Sequence, residues 1–395
     1  MKIAKRIKKL NPSFTMQMAA KATQMRQTGI DVINFTVGEP DNTTSQNICQ
    51  AAKAAIDEGF TKYTTVSGIP ELKSAIQTKV KRDNNLNINE NQILVSNGGK
   101  QSLYLACQAL FEKGDEVLIF SPYWVSYPEM IKLTDAKPLM VPTISSQQYE
   151  PDFNKLEKII NPNIKGVIIN SPSNPTGGVW SDNAVINLLD MAVKHDWIVF
   201  SDECYDQLVY DDQFTSIQCL NHVGAEVVTF MTLSKSYAMT GWRVGYAFGN
   251  QEIIDAMSKL QGQETSCINS IAQRAAIEAL IGDQSSLKNM KEKFRKRRDI
   301  MIDLLNDIPD IFCDKPKGAF YAFPDFSQYF GKEIYGEELV SSTQLSEYLL
   351  EESKVVTVPG DGFGATNNIR FSYAVSTDSI IDGIQLVKEA LIKIK

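Results

Sequence analysis

Val227-Val228-Thr229-Phe230-Met231-Thr232-Leu233-Ser234-Lys235-Ser236-Tyr237-Ala238-Met239-Thr240-Gly241-Trp242-Arg243 runs from a β-branched apolar segment into a short, Gly-containing turn. The segment Val227 to Leu233 has the continuous apolar character of a strand buried on both faces. Lys235 stands at the mouth of that strand, and Arg243 follows eight positions later. A lysine amine so placed can form a Schiff base with a phosphorylated aldehyde while a fixed guanidinium holds the phosphate. The same residues also suit a surface Lys-Arg pair bounding a turn, so the neighbouring strands must discriminate.

Outward from this window the chain alternates helix-like and strand-like segments between about residues 46 and 285. Apolar strands are expected at Ile93–Val95, Glu116–Phe120, Gly166–Asn170, Trp197–Ser201 and Val244–Phe248, besides the opening one. Helical patterns fall at Ile48–Ile56, Pro70–Lys79, Gln101–Phe111 and Asn183–Lys194. Buried strands separated by helices predict an α/β fold, a mostly parallel sheet with helices on both sides. After Gln251 the pattern changes. A Lys-, Arg- and Met-rich helix at Ser285–Leu305 precedes strands at Gly318–Phe323, Val355–Val358 and Ile369–Tyr373, and a helix from Thr377 closes the chain. The expected division is residues 1–45 as an N-terminal arm and part of a small domain, 46–285 as a large domain, and 286–395 as the small α+β domain.

The 395 residues are 43% hydrophobic and 22% charged, ordinary for a globular enzyme, and the net charge is −7. With no basic excess there is no global reason to expect nucleic acid or an anionic membrane as partner, so any anion site must be local. Six scattered cysteines form no Cys-x-x-Cys pair and the two histidines have no ligand-spaced neighbours. Reduced thiols and no metal are the expectation. The basic start lacks the apolar core of a signal peptide, and no apolar run has the length of a membrane span. A cytoplasmic location is expected.

In an open α/β sheet, ligands bind beyond the carboxyl ends of the strands. Ile93–Ser96 is followed by Asn97-Gly98-Gly99-Lys100-Gln101, where glycines and the free N–H groups of a helix start suit a phosphate. Its alternative is an ordinary strand-to-helix turn. The strand ending at Phe120 leads to Trp124, an aromatic plate or else a core indole. The next leads to Ser171-Pro172-Ser173-Asn174-Pro175-Thr176-Gly177-Gly178, a stiff loop that aims Asn174. After Phe200 come Asp202 and Tyr205; a carboxylate there is costly without partners, unless Asp202 simply caps a helix. Together with Lys235 and Arg243 these are complementary parts for pyridoxal phosphate. Trp124 would stack on the ring, the Gly99 and Lys100 amides and Arg243 would meet the phosphate, Asp202 would pair with the pyridine nitrogen, and Asn174 and Tyr205 would bond the phenolic oxygen.

The chain resembles the class I and II pyridoxal-phosphate aminotransferases, most closely the bacterial aspartate aminotransferase branch. The likeness is carried by Phe35-Thr36-Val37-Gly38-Glu39-Pro40-Asp41, Lys62-Tyr63-Thr64, Asn97-Gly98-Gly99-Lys100-Gln101, Pro122-Tyr123-Trp124-Val125-Ser126-Tyr127-Pro128, Ser173-Asn174-Pro175-Thr176-Gly177, Ser201-Asp202-Glu203, the lysine window and Arg370-Phe371-Ser372-Tyr373-Ala374. The resemblance implies fold type I, with a mixed, mostly parallel seven-stranded sheet in the large domain. It implies that Arg370, otherwise readable as a strand-end surface charge, grips the substrate α-carboxylate. It implies that the Gly38 backbone lies over the substrate, with Trp124 and Asn174 also against it, and that Tyr63 crosses to the phosphate of a neighbouring subunit in a homodimer. Without the resemblance Tyr63 reads as a core aromatic beside a helix. Thr232 stands where the family usually has Ser or Gly, and its hydroxyl can still serve the phosphate.

The implied reaction is ping-pong transamination from L-aspartate to 2-oxoglutarate, with Lys235 as general base and Asp202 and Tyr205 supporting the chemistry. Lys100 and Thr15 are the candidates for the second substrate carboxylate. Broader specificity toward prephenate, aromatic, alanine or kynurenine donors is the alternative, and Asn11, where prephenate-accepting relatives often carry a basic residue, weakens the prephenate case. A pyridoxal-phosphate β-lyase is a further alternative. A regulator that borrows this fold usually brings a DNA-binding module, and the likeness begins near residue 10.

Overall fold

The computed structural model describes residues 3–11 and 14–394, except the side chains of Phe14 and Thr15. A short strand, β1 (Ile33–Asn34), precedes the main sheet. That sheet comprises β2 (Ile93–Ser96), β3 (Glu116–Ser121), β4 (Lys137–Pro142), β5 (Ile164–Asn170), β6 (Ile198–Asp202), β7 (Val227–Thr232) and β8 (Gly245–Phe248). Their spatial order is β2-β8-β7-β6-β5-β3-β4. Only β8 runs against its neighbours, pairing antiparallel with both β2 and β7. The other pairings are parallel. The sheet is the mixed, mostly parallel seven-stranded one that the resemblance implies.

The seventh strand, β4, is absent from the pattern of apolar runs. It is an edge strand paired only with β3, and it contains Pro138 and Pro142. Proline removes a ladder donor and is tolerated at an edge, where exposure also dilutes the apolar signal. Strand alternation divides the core between the two faces. Ile93, Val95, Met231, Tyr246 and Phe248 pack with the helices Pro70–Asn84 and Ser270–Ile281. Leu94, Phe200, Val228, Phe230 and Ala247 pack with Gly99–Leu110 and Gln251–Glu264 on the other side.

The C-terminal part is built on β9 (Tyr321–Ala322), the hairpin of β10 (Glu333–Ile334) and β11 (Glu337–Glu338), then β12 (Val355–Val356), β13 (Val358–Pro359) and β14 (Ile369–Ser372). The strand expected at Gly318–Phe323 shrinks to two residues because Ala319 has φ +57°, which breaks extended geometry. The one expected at Val355–Val358 divides at Thr357. Its first half pairs in parallel with β1, and its second half pairs antiparallel with β14. The N-terminal segment is thereby tied to the C-terminal region, and Phe35 joins the core of Phe294, Phe320, Phe371 and Val387. Among the described residues no helix is long and apolar enough to cross a membrane.

Because β8 lies between β2 and β7, Gly245 pairs with both Ser96 and Thr232. A Cβ there would meet Gly99 N at 2.3 Å and Met231 O at 2.9 Å, both backbone atoms. Gly245→Ala is therefore expected to cost about 2 kcal/mol or more. Gly262→Ala, in a helix with its nearest neighbour 3.8 Å away, should gain roughly 0.5–1 kcal/mol. Denaturant unfolding of both variants checks the contrast; equal midpoints would contradict it.

Candidate active site

The carboxyl ends of β2, β3, β5, β6 and β7 open onto one cleft of about 400 Å³. At its phosphate-sized end the helix Gly99–Leu110 begins on Gly98, whose φ is +79°, with no side-chain cap on its first amides. The Arg243 guanidinium lies directly over this turn. It donates to Thr240 O at 2.9 Å and to Asn97 O at 3.2 Å, and a Cβ on Gly98 would meet its Nη2 at 2.3 Å. Free helix amides and a guanidinium together form an anion cradle. Thr232 also faces the cleft, but its hydroxyl accepts Ser234 N at 3.2 Å and lies 2.9 Å from Ser234 Oγ and 3.2 Å from Val244 O. Ser234, which sequence reasoning passed over, lines the same end.

The floor of the cleft holds Asp202, 5% exposed, as the last residue of β6. No helix follows it, so it does not serve as a helix cap; residues 204–207 form a turn. Tyr127 Oη donates to its Oδ2 at 2.6 Å and Cys204 N to its Oδ1 at 3.2 Å. Burial pushes the Asp202 carboxyl above the usual carboxylate range, and these donors oppose that rise. Trp124 lines the wall while its inner edge packs on the core, 5.3 Å from Tyr127 and nearly perpendicular to it.

Lys235 keeps some surface toward the cleft, and its ammonium donates to Gly38 O at 2.5 Å. Burial, with Arg370 and Arg243 adding to it and Cys204 and Glu39 opposing, lowers its pKa below the ordinary lysine value. Arg370 is 2% exposed, which removes the surface-charge reading. It donates to Asn174 Oδ1 and to Thr36 O, both at 2.9 Å, and its buried Nε has no hydrogen-bond partner among the described residues. Tyr321, also missed from sequence, lies 4.4 Å beneath the guanidinium and pairs its hydroxyl with Tyr205 Oη at 3.0 Å. Asn170 braces the loop, accepting Asn174 N at 2.8 Å and donating to Asp202 O at 3.0 Å.

Lys100 is exposed as a residue, yet its ammonium sits 4.7 Å over the Trp124 ring. Desolvation, then the Arg243 charge, lowers its pKa. One expected residue, Tyr63, is not brought to this cleft. Tyr63 is 89% exposed, which excludes the core-aromatic reading. Thr15 is the second residue of the helix Phe14–Gln27, and its side chain lies outside the described residues; the adjacent Met16 lines the cleft.

The model of the family aminotransferase class I and II matches residues 30–384. The chain belongs to that family. It is 41% identical over 387 residues to an aspartate aminotransferase of Bacillus sp. (strain YM-2), covering 98% of both chains. It is also 41% identical to a probable aspartate/prephenate aminotransferase of Rickettsia bellii, covering 96% of each. Among solved structures, the aspartate aminotransferase of Rhizobium meliloti superposes with a TM-score of 0.96 at 38% identity over 100% of both chains. That of Thermus thermophilus with maleate gives 0.93 at 34% identity over 99% of this chain and 100% of the other.

Behind Asp202, Glu203 is 1% exposed; its Oε1 accepts Ser201 Oγ, Ser216 Oγ and Ile217 N, and its Oε2 has no partner among the described residues. Burial pushes this carboxyl up to about 7 from 4.5. A raised acid favours folding while protonated, so the contribution is full below about pH 4.5 and is lost as pH rises through 7, about 3 kcal/mol in all. Glu203→Gln should flatten the stability profile between pH 5 and 7 in urea unfolding. An unchanged slope would contradict the assignment.

Proposed function

We propose that the chain is a pyridoxal-phosphate-dependent aspartate aminotransferase that moves the amino group of L-aspartate to 2-oxoglutarate in a ping-pong cycle. One observation carries the reading: a lysine of lowered pKa, a buried carboxylate and a buried arginine with a donor unpaired among the described residues open onto a single cleft. The donor set fits the cofactor. Uncapped helix amides at Gly99 and Lys100, with Arg243, Ser234 and Thr232, suit a phosphate dianion. Asp202 has one donor from the chain on each oxygen and can still accept from a protonated ring nitrogen. Asn174 Nδ2, which makes no hydrogen bond among the described residues, and Tyr205 suit the phenolic oxygen, and Trp124 the ring face.

When bound, pyridoxal phosphate supplies an electron sink that lowers the cost of a carbanion at the substrate Cα. Lys235 Nζ would hold the cofactor aldehyde and, as a free amine, is the base placed to take the proton from the substrate Cα; its lowered pKa raises the share of neutral amine at neutral pH. Arg370 fixes the α-carboxylate through a bidentate pair, so that the Cα–H bond is held in one orientation. The Gly38 backbone and Tyr321 narrow the cleft above the substrate and limit water. Lys100, with Thr15, takes the second carboxylate. Tyr63, so exposed in one chain, fits contact with the phosphate of a second copy, giving a homodimer with shared sites. Acceptance of prephenate is the second reading, favoured by the Rickettsia relative. Asn11 argues against it, since its amide and side chain are held by Glu129.

Oxaloacetate formation from aspartate and 2-oxoglutarate tests the activity, with prephenate, alanine and kynurenine tried alongside. With a cystathionine-like thioether as substrate, release of ammonia and pyruvate together with the free thiol would mark a β-lyase instead. Lys235→Ala should lose the visible absorption of the loaded protein and at least about 10²–10⁴-fold in turnover; sustained turnover without added amine would sink the assignment. Lys100→Ala should lower kcat/KM for aspartate about tenfold or more while sparing alanine. A variant that keeps its preference for aspartate over alanine would refute the role of Lys100.

A further inference from the structure

Asp202 has a partner that the transamination steps leave unused. Tyr127 is the first residue of the helix Tyr127–Lys132, is 2% exposed, and gives its hydroxyl to Asp202 Oδ2 at 2.6 Å. That is the length of a charge-assisted O–H···O⁻ bond. The same phenol packs edge-on against Trp124, with centroids 5.3 Å apart and planes at 81°. One side chain therefore braces both the carboxylate at the floor of the cleft and the indole in its wall.

We propose that Tyr127 is a positioning residue that keeps Asp202 ionised and aimed into the cleft, and so sets how strongly the site holds a protonated pyridine nitrogen; this rests on the cofactor reading above. The phenol is a permanent donor, because burial and the adjacent Asp202 charge push its own titration far up. Burial works against the ionised form of Asp202, and the Tyr127 bond is the largest opposing influence. Without it the carboxyl gains a proton more readily and offers the ring nitrogen no full negative charge. The Cys204 amide bonds the other oxygen, Oδ1, and at 3.2 Å is the longer bond, so it substitutes poorly. Tyr127→Phe preserves the edge contact with Trp124 and removes only the hydroxyl.

The test compares dissociation constants of the wild-type protein and Tyr127→Phe for pyridoxal phosphate and for its analogue in which C–H replaces the ring nitrogen. Binding is followed by tryptophan fluorescence of the cofactor-free proteins. The wild type should bind pyridoxal phosphate more tightly than the analogue. Tyr127→Phe should lose roughly tenfold or more of the first affinity and none of the second. Equal losses for both ligands would show a packing role only and overturn the proposal, as would no loss for either. Tyr127→His, which keeps a ring and an N–H donor, should retain part of the preference, and it serves if the phenylalanine variant fails to fold. A wild-type protein that binds neither ligand would instead remove the cofactor reading itself.

Discussion

A carboxylate at the end of a fully buried strand costs several kcal/mol unless donors and a cation compensate it, and Asp202 occupies such a position. Much of the surrounding architecture answers that cost. Tyr127 and the Cys204 amide donate to the two oxygens, and Asn170 ties the Asp202 carbonyl to the Pro172–Asn174 loop. Lys235, itself short of water, lies close enough to favour the ionised carboxylate. A buried lysine and a buried aspartate held near one another in a cleft, with no direct bond between them, leave room for a ligand that satisfies both.

The second buried cation is handled differently. Among the described residues Arg370 has no carboxylate partner at hydrogen-bond distance; it is supported by two carbonyl oxygens and the face of Tyr321. Dipoles and an aromatic quadrupole stabilise a guanidinium without neutralising it. A carboxylate entering the cleft therefore meets a cation already oriented and still carrying its full charge. Burial raises the strength of such a pair and sharpens its geometry, which lysine could not reproduce.

What the sequence made legible follows from the same constraints. Strands buried on both faces leave unbroken apolar runs, so β2, β3, β5, β6, β7 and β8 could be found, and the residues after them could be collected as one set. The edge strand β4, half exposed and carrying two prolines, leaves no such mark. The break at Ala319 depends on a left-handed backbone at a residue type that seldom adopts it. Arg370 and Gly38 reached the candidate set through family likeness alone, because a charge at the end of a short strand looks the same buried or exposed. Ser234 and Tyr321 were missed for a related reason: the use of a hydroxyl is decided by which neighbour claims it, and pattern along the chain does not contain that.

The lysine window, Val227 to Arg243, owes its chemistry to one reversal. The chain leaves the sheet edge at Thr232, passes Lys235 and Arg243, and returns at Gly245 in a strand antiparallel to the one it left. A parallel return would require a crossover that carries the chain to the opposite edge of the sheet before the next strand begins. Arg243 would then face away from Lys235. The antiparallel β8 instead brings both cations to the same opening and inserts Gly245 between Thr232 and Ser96. The contact of Gly245 with Gly99 leaves no space for a side chain. Arg243 can consequently stand over the Gly98 turn only because three backbones meet there without a Cβ between them. The spacing of lysine and arginine in sequence is thus the length of a turn that never leaves the ligand-binding edge.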